Sequence, residues 1–531
     1  MRKMFIAVVL ALMIIAMPLS PAMAQSDQTV IDEVFDQTES VRGLKALVGI
    51  AVNFMSRDQL QDRMLKDLEE ENPEEEIKIS EEIMVMMGFA DQDLDLEQLY
   101  VDLYTEQVAG FYDPEDDSLY LISGKKAMNS MDKYILSHEL THYLQDQNYD
   151  LMRPPFHDPE DVAEETDDDA SFAATCLIEG DAMITSNLWL YDYADIMDMM
   201  DSEVGDDNYS TDVYDSAPYY IQDALMFPYE EGLSFVEYIH GRGGFAAVDE
   251  AYSNIPSTTE YIMHPEKYVE GEPVIEVDLP DLTGDLGSGW ELAYENVLGE
   301  FDVMELFKPY LSKKNNSKAS EGWGGNEYQY YRDGSGEKML VQGYAWDSED
   351  DAEEFASAMV TYIEDRFEGE VEEKPAQGAW LMWSAGDYLF ALKRDGSETY
   401  VVQATSEKPF KAVVGALGDE GSTIDKEAIN DDAVSESDTG EEKDYYWLVV
   451  GGVIGLLAIG IVLVILMLAL YRRPPKPPAQ PPGGPYIYPG GDPGGGYGGP
   501  PGAGPAGIPW GGGGMPPPPP AKPVVPPPPE T

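Results

Sequence analysis

Cysteine is all but missing. Cys176 is the single one among 531 residues, so no disulfide can form within the chain. Basic residues are scarce too: 32 Lys and Arg stand against 101 Asp and Glu, a formal net charge of −69. Such a surface repels phosphate and lacks the cations that displace counterions, which excludes nucleic acid as a partner. It reads as a solvated acidic shell suited to salty surroundings, with attraction of cationic substrates a secondary reading. Histidine is limited to five residues, so any imidazole site must draw on His138, His142, His157, His240 and His264. An apolar content of 43% is ordinary for a globular protein, and the length exceeds one ordinary core.

A chain without disulfides suggests a reducing compartment, but the two ends point elsewhere. The start, MRKMFIAVVLALMIIAMPLSPAMAQS, has a basic Arg2-Lys3, an apolar run from Met4 to Met17, and Ala22-Met23-Ala24 as a small-residue cleavage site. Residues 1–24 are expected to be a secretory signal, with an uncleaved anchor as the alternative. Export without disulfides fits a prokaryotic envelope. Trp447 to Leu470 is apolar throughout and uncharged. At about 1.5 Å per residue it is long enough to cross about 30 Å of hydrocarbon as a transmembrane helix. The acidic flank EEKD would lie outside, and Arg472, Arg473 and Lys476 in the cytoplasm. The expected topology is a large exported body, one C-terminal span of the cell membrane and a short cytoplasmic tail. Gly451 and Gly455 have the spacing through which two such helices could pair as a homodimer.

Between these ends the expected fold class is α+β. Residues 25–280 read as a mainly helical region with a small edge sheet. Ser56 and Gln59 open RDQLQDRMLKDLEEE as a capping box. In GFYDPEDDSLYLISG, the Asp113-Pro114 turn separates two short strands. A Pro/Gly/Asp linker precedes a smaller α+β accessory domain at 288–417, its mostly antiparallel strands turning at Arg332-Asp333-Gly334 and Arg394-Asp395-Gly396. Residues 418–444 read as an acidic disordered stalk. The tail at 474–531, rich in Pro and Gly, cannot bury a core; it is either flexible filler or a proline-rich ligand for a cytoplasmic partner.

Chemistry concentrates in YILSHELTHYLQDQNY. His138 and His142 stand at i and i+4 on one helical face, so both imidazoles can reach one metal ion, with Glu139 beside them. Zn2+ held by three protein ligands keeps a fourth place for water, whose proton Glu139 could take as general base before passing it to a leaving amine. No proline or glycine interrupts the segment between Lys133 and Asn148. For the third ligand the first choice is Glu179 in SFAATCLIEGDAM. Phe172, Cys176, Glu179 and Met183 share one face, and a lone carboxylate among apolar residues is costly without a cation. His157 and His264 are the alternatives. Asp181 is placed to hydrogen-bond a ligand histidine.

Stabilising the oxyanion needs a donor besides the metal. His264 in YIMHPEKY is the first choice, with Tyr268 and Tyr229 behind it, and a purely structural role before Pro265 is equally open. His240 reads as a helix C-terminal residue. Cys176 reads as buried packing.

HELTHYLQDQNYDL followed by LIEGDA resembles the gluzincin zinc metallopeptidases. EQVAGFYDP, STTEYIMHPEKY, GWGGNEY and AWDSEDDAEEF are similar to segments of a largely uncharacterised group of exported prokaryotic predicted metallopeptidases. The resemblance spans roughly residues 45–415. It implies zinc ligands His138, His142 and Glu179 with Glu139 as base. It also implies that Ser118 to Ile122 is an edge strand that pairs with extended peptide. One departure is Met183, where gluzincins carry an acid. The expected activity is therefore that of a membrane-anchored extracytoplasmic zinc endopeptidase acting on protein or peptide, with the loop around 196–216 able to cover the cleft. The rival is a noncatalytic envelope scaffold that retains the fold.

Overall fold

A computed structural model describes residues 25–71, 74–108, 110–114, 118–122, 128–157, 167–194 and 211–429. The leader, the apolar run 447–470, the Pro/Gly-rich tail and most of the loop around 196–216 lie outside these residues. Among the described residues no helix is long and apolar enough to cross a membrane.

The chain is a mixed α+β structure. Helix α1 (Gln25–Arg42), strand β1 (Ala51–Met55) and helices α2 (Arg57–Glu71), α3 (Glu74–Met87) and α4 (Leu96–Gln107) lead into strands β2 (Gly110–Asp113) and β3 (Ser118–Ile122). The expected capping box is present at α2: Gln59 N–H donates to Ser56 Oγ, and Ser56 N–H to Gln59 Oε1. Two long helices follow, α5 (Ser130–Tyr149) and α6 (Asp168–Tyr193). Each starts on a side-chain acceptor that takes an orphan amide of its first turn: Asn129 accepts from Asp132 N–H, and Asp167 from Ala170 N–H. Helices α7 (Asp212–Ser216), α8 (Tyr219–Gly243), α9 (Phe245–Ala251), α10 (Thr259–Met263), α11 (Pro265–Glu270) and α12 (Thr283–Leu286) complete this part.

Strand β1 adds to the edge sheet of the mainly helical region 25–280 a strand that the sequence pattern does not mark. A short apolar run such as AVNFM reads equally well as helix or strand, and only pairing with a distant partner decides. Here β1 pairs in parallel with β3, and β2 pairs antiparallel on the other side, giving the order β1-β3-β2. The strand expected at the edge, Ser118 to Ile122, is therefore central. The strand at the end beside the cleft is β2.

The remaining strands form one antiparallel seven-stranded sheet. They are β4 (Trp290–Asn296), β5 (Trp323–Asp333), β6 (Lys338–Trp346), β7 (Val371–Gln377), β8 (Trp380–Ala385), β9 (Tyr388–Asp395) and β10 (Glu398–Ala404), in the order β4-β5-β6-β10-β9-β8-β7. Helices α13 (Glu300–Phe307) and α14 (Lys313–Ser320) lie between β4 and β5 in the chain, α15 (Glu349–Arg366) between β6 and β7, and α16 (Glu407–Ala416) follows β10. Gly396 takes φ 63° in the tight β9–β10 turn, a conformation that side chains resist. In GWGGNEY the glycines make room: a Cβ on Gly325 would stand 1.9 Å from the carbonyl oxygen of Ile275, in the linker crossing the sheet.

One apolar core joins the helices to this sheet, running from Met84, Cys176 and Phe235 to Tyr344 and Phe355. The end of α3 is tied in as well. Its last carbonyls, which lack helical partners, accept from Arg366 of α15, Tyr362 of α15 and Gln403 of β10. The segment read as a disordered stalk begins folded. Ser422 bridges to Arg394, and Ile429 is buried with its amide on Ser357 Oγ, because apolar side chains interrupt the acidic run.

Candidate metal centre and its cleft

Helix α5 carries His138, Glu139 and His142, and α6 crosses it with Glu179. His138 Nε2 stands 3.1 Å from Glu179 Oε2 and 3.1 Å from His142 Nε2, while His142 Nε2 is 3.4 Å from the same carboxylate oxygen. Atoms bound about 2.1 Å from one ion in tetrahedral directions stand roughly 3.4 Å apart, so this donor set suits one small cation without movement of the backbone. His142 Nδ1 lies 2.9 Å from Gln145 Oε1.

The charges are arranged around Glu179. Burial disfavours its ionised form, but His142 and His138 outweigh that and hold its pKa well below the usual carboxylate range. Burial likewise works against a charged His142, and Glu179 lifts that imidazole to about 9. Glu139 is shifted the other way, upward, chiefly by its burial. One oxygen of Glu139 accepts the Tyr112 N–H from β2 at 3.1 Å. A Cβ on Gly110, also on β2, would stand 3.2 Å from the Tyr120 carbonyl oxygen of β3 and 3.4 Å from Glu139 Cγ.

Helix α8 forms the facing wall and brings Tyr229 beside the candidate ligands, its ring 6.1 Å from that of His138. Burial first, and then Glu179 and Glu139, raise the phenol well above its ordinary pKa, so it remains a proton donor. The approach of α8 to α6 depends on two glycines. A Cβ on Gly180 would lie 2.1 Å from the carbonyl oxygen of Gly232, and one on Gly232 would lie 2.5 Å from that of Cys176. Gly180 directly follows the ligand candidate, so the close crossing places Glu179 and Tyr229 in one cleft. Pro228, inside α8, offers no N–H to the preceding turn, where Ala224 and Leu225 line the same cleft.

The cleft has a volume of about 380 Å³ and is mostly apolar, with Phe172, Met183, Tyr220, Leu225 and Tyr328 among its walls. Met183, the residue that departs from the gluzincin pattern, lines it. So does Tyr214 of α7, which packs near α4 through amides that Glu106 accepts.

The structure brings His138, Glu139, His142 and Glu179 together and places His264 elsewhere. His264 does not line the cleft; its Nε2 pairs with buried Glu300 at 3.0 Å in the turn between α10 and α11. Tyr229, and not His264, thus stands beside the candidate ligands, because α8 crosses them and α10 does not. Tyr268 donates to the Asn254 carbonyl, away from the cleft. His157 closes a backbone turn with Arg153, and His240 lies in the last turn of α8 with its ring near Phe245. Cys176 is fully buried between helices. Asp181 reaches no ligand histidine directly; Gln145 stands between them. Gln145, the Tyr112 amide and the glycine pair went unrecognised in the sequence. The Gly in EGDA directly after the ligand candidate was the signal available for the last of these.

A second group of carboxylates, Glu260, Glu272 and Asp347, converges elsewhere. Its centre is already taken by the Lys267 ammonium, 2.6 Å from Glu260 and 2.7 Å from Asp347.

Comparison with known proteins adds little to this geometry. A family model described as "Domain of unknown function (DUF8575)" matches residues 291–414, which covers most of the seven-stranded sheet and none of the cleft ligands. No curated protein matches. A crystal structure from Chloroflexus aurantiacus, titled as that of a "putative hydrolase with a novel fold", aligns with 48% of this chain and 92% of its own at 14% identity. Its TM-score of 0.32 assigns neither fold nor activity to this chain.

Proposed function

We propose that the chain is a zinc-dependent endopeptidase with a zincin-like catalytic region, exported and anchored by the apolar run 447–470. The observation that carries this reading is the convergence of His138 Nε2, His142 Nε2 and Glu179 Oε2 within 3.1–3.4 Å of one another, beside a buried Glu139, in an apolar cleft. His138, His142 and Glu179 would hold the ion. When bound, zinc supplies a Lewis acid that activates water and polarises a carbonyl.

The chain's own groups do the rest. Glu139, with one oxygen tied to the Tyr112 amide, takes a proton from the attacking water with the other and returns it to the leaving amine. Tyr229 donates to the carbonyl oxygen as that atom gains charge. The apolar walls of the cleft take a side chain next to the scissile bond.

The test compares the full chain with its Glu139→Gln variant for zinc content and for cleavage of an unfolded protein. Both should bind zinc, and only the first should cleave, with the variant down about 10²–10⁴-fold. Zinc in both and cleavage in neither would instead identify a noncatalytic scaffold. A wild-type chain that takes up no zinc would end the metal reading.

A further inference from the structure

Behind the candidate ligands lies a chain of buried polar groups that a metal site does not itself require. Gln145, on the same helix as the histidines, points its Nε2 at two acceptors, the Ile178 carbonyl at 2.9 Å and Asp181 Oδ2 at 3.1 Å. A carbonyl only accepts, so the amide cannot be turned round. Its Oε1 is thereby left facing His142 Nδ1 at 2.9 Å. An oxygen that only accepts requires a proton on Nδ1, and a neutral imidazole with Nδ1–H keeps its lone pair on Nε2. Nε2 is the atom aimed at His138 and Glu179.

Asp181 is itself held in place. Arg42 Nε donates to its other oxygen at 2.7 Å with both side chains at 0% exposure, and the Tyr252 hydroxyl donates to Oδ2 at 2.9 Å. Arg42 is fixed in turn by Asp249 at 2.8 Å and lies over the Phe245 ring. Removing an ion pair from water costs several kcal/mol per ion, and an apolar pair of equal volume is often no less stable. Stability alone therefore does not account for burying Arg42 and Asp181 in a chain so poor in cations.

We infer that Gln145 and Asp181, clamped by Arg42 of α1 and by Tyr252, are positioning residues that fix His142 as the Nδ1–H tautomer and so present its Nε2 lone pair to the metal. The inference rests on the proposed metal centre and extends it to residues that touch neither metal nor substrate.

Two measurements on the full chain test it. The first is zinc affinity by chelator competition for wild type and Gln145→Met, which keeps the volume and loses the acceptor. Affinity should fall about 10–100-fold, while the melting temperature of the metal-free variant stays near that of wild type. The second needs no variant: zinc-loaded protein labelled with ¹⁵N at histidine should show a slowly exchanging Nδ1–H for His142. Equal zinc affinity in the variant, or a His142 that carries no proton on Nδ1, overturns the relay alone. A wild type that binds no zinc overturns the metal centre along with it.

Discussion

Tyr229 is half-buried on α8, facing the cleft. Tyr229→Phe removes one donor and almost no volume, so the fold and zinc content should persist while kcat falls about 10²–10³-fold and KM changes little. Steady-state kinetics on an unfolded substrate check this; a variant with unchanged kcat would return the oxyanion role to another group. Asp169 sits in the first turn of α6, where Thr259 donates both its N–H and its hydroxyl to Oδ1. Burial first, and then Asp167, raise its carboxyl from 3.8 to about 8. Between these values the unfolded chain has lost a proton that the folded chain keeps, so rising pH favours unfolding. The contribution is complete below about pH 4 and is lost as pH climbs through about 8. Asp169→Asn keeps the acceptor and cannot ionise, so urea midpoints should fall less steeply with pH than those of wild type. Parallel pH curves for the two proteins would contradict this origin of the slope.

At the level of elements, the decisive contact is the crossing of α6 and α8. Gly232→Ala would push a methyl to 2.5 Å from a backbone carbonyl that cannot swing aside. Overpacking of this kind costs about 3 kcal/mol, and relieving it moves Tyr229 away from Glu179. Chemical denaturation should show the loss of stability, with activity falling further than stability explains. The glycines are plain in the sequence, but what they approach is not, because the two helices meet across dozens of intervening residues. The same limit governed β1. Five residues without strong alternation became a strand only by pairing with β3, and that pairing moved the edge of the sheet to β2.

Across the whole molecule, the formal charge of −69 makes self-repulsion a general load on the folded state. Raising the ionic strength from about 0.1 M to about 1 M shortens the screening length from about 10 Å to about 3 Å. The melting temperature should rise over that range, and a fall would mean that ion pairs such as those of Lys267 outweigh the repulsion. The buried Arg42–Asp181 pair, at 0% exposure, is shielded from salt and should hold throughout.

What the sequence determined by itself was local. HELTH on an unbroken helix sets two imidazoles on one face, since i and i+4 always meet there. Glu179 stood out because a lone carboxylate on an apolar face is costly, and the α+β class because the helical and strand periods change along the chain. Tertiary structure decided everything that depends on approach between distant segments. It brought Tyr229, not His264, to the cleft, made β2 the end strand, and set Gln145 between His142 and Asp181. A side chain's partners depend on which elements pack against its own, and for Arg42 and Asp181 those elements lie far apart in the chain.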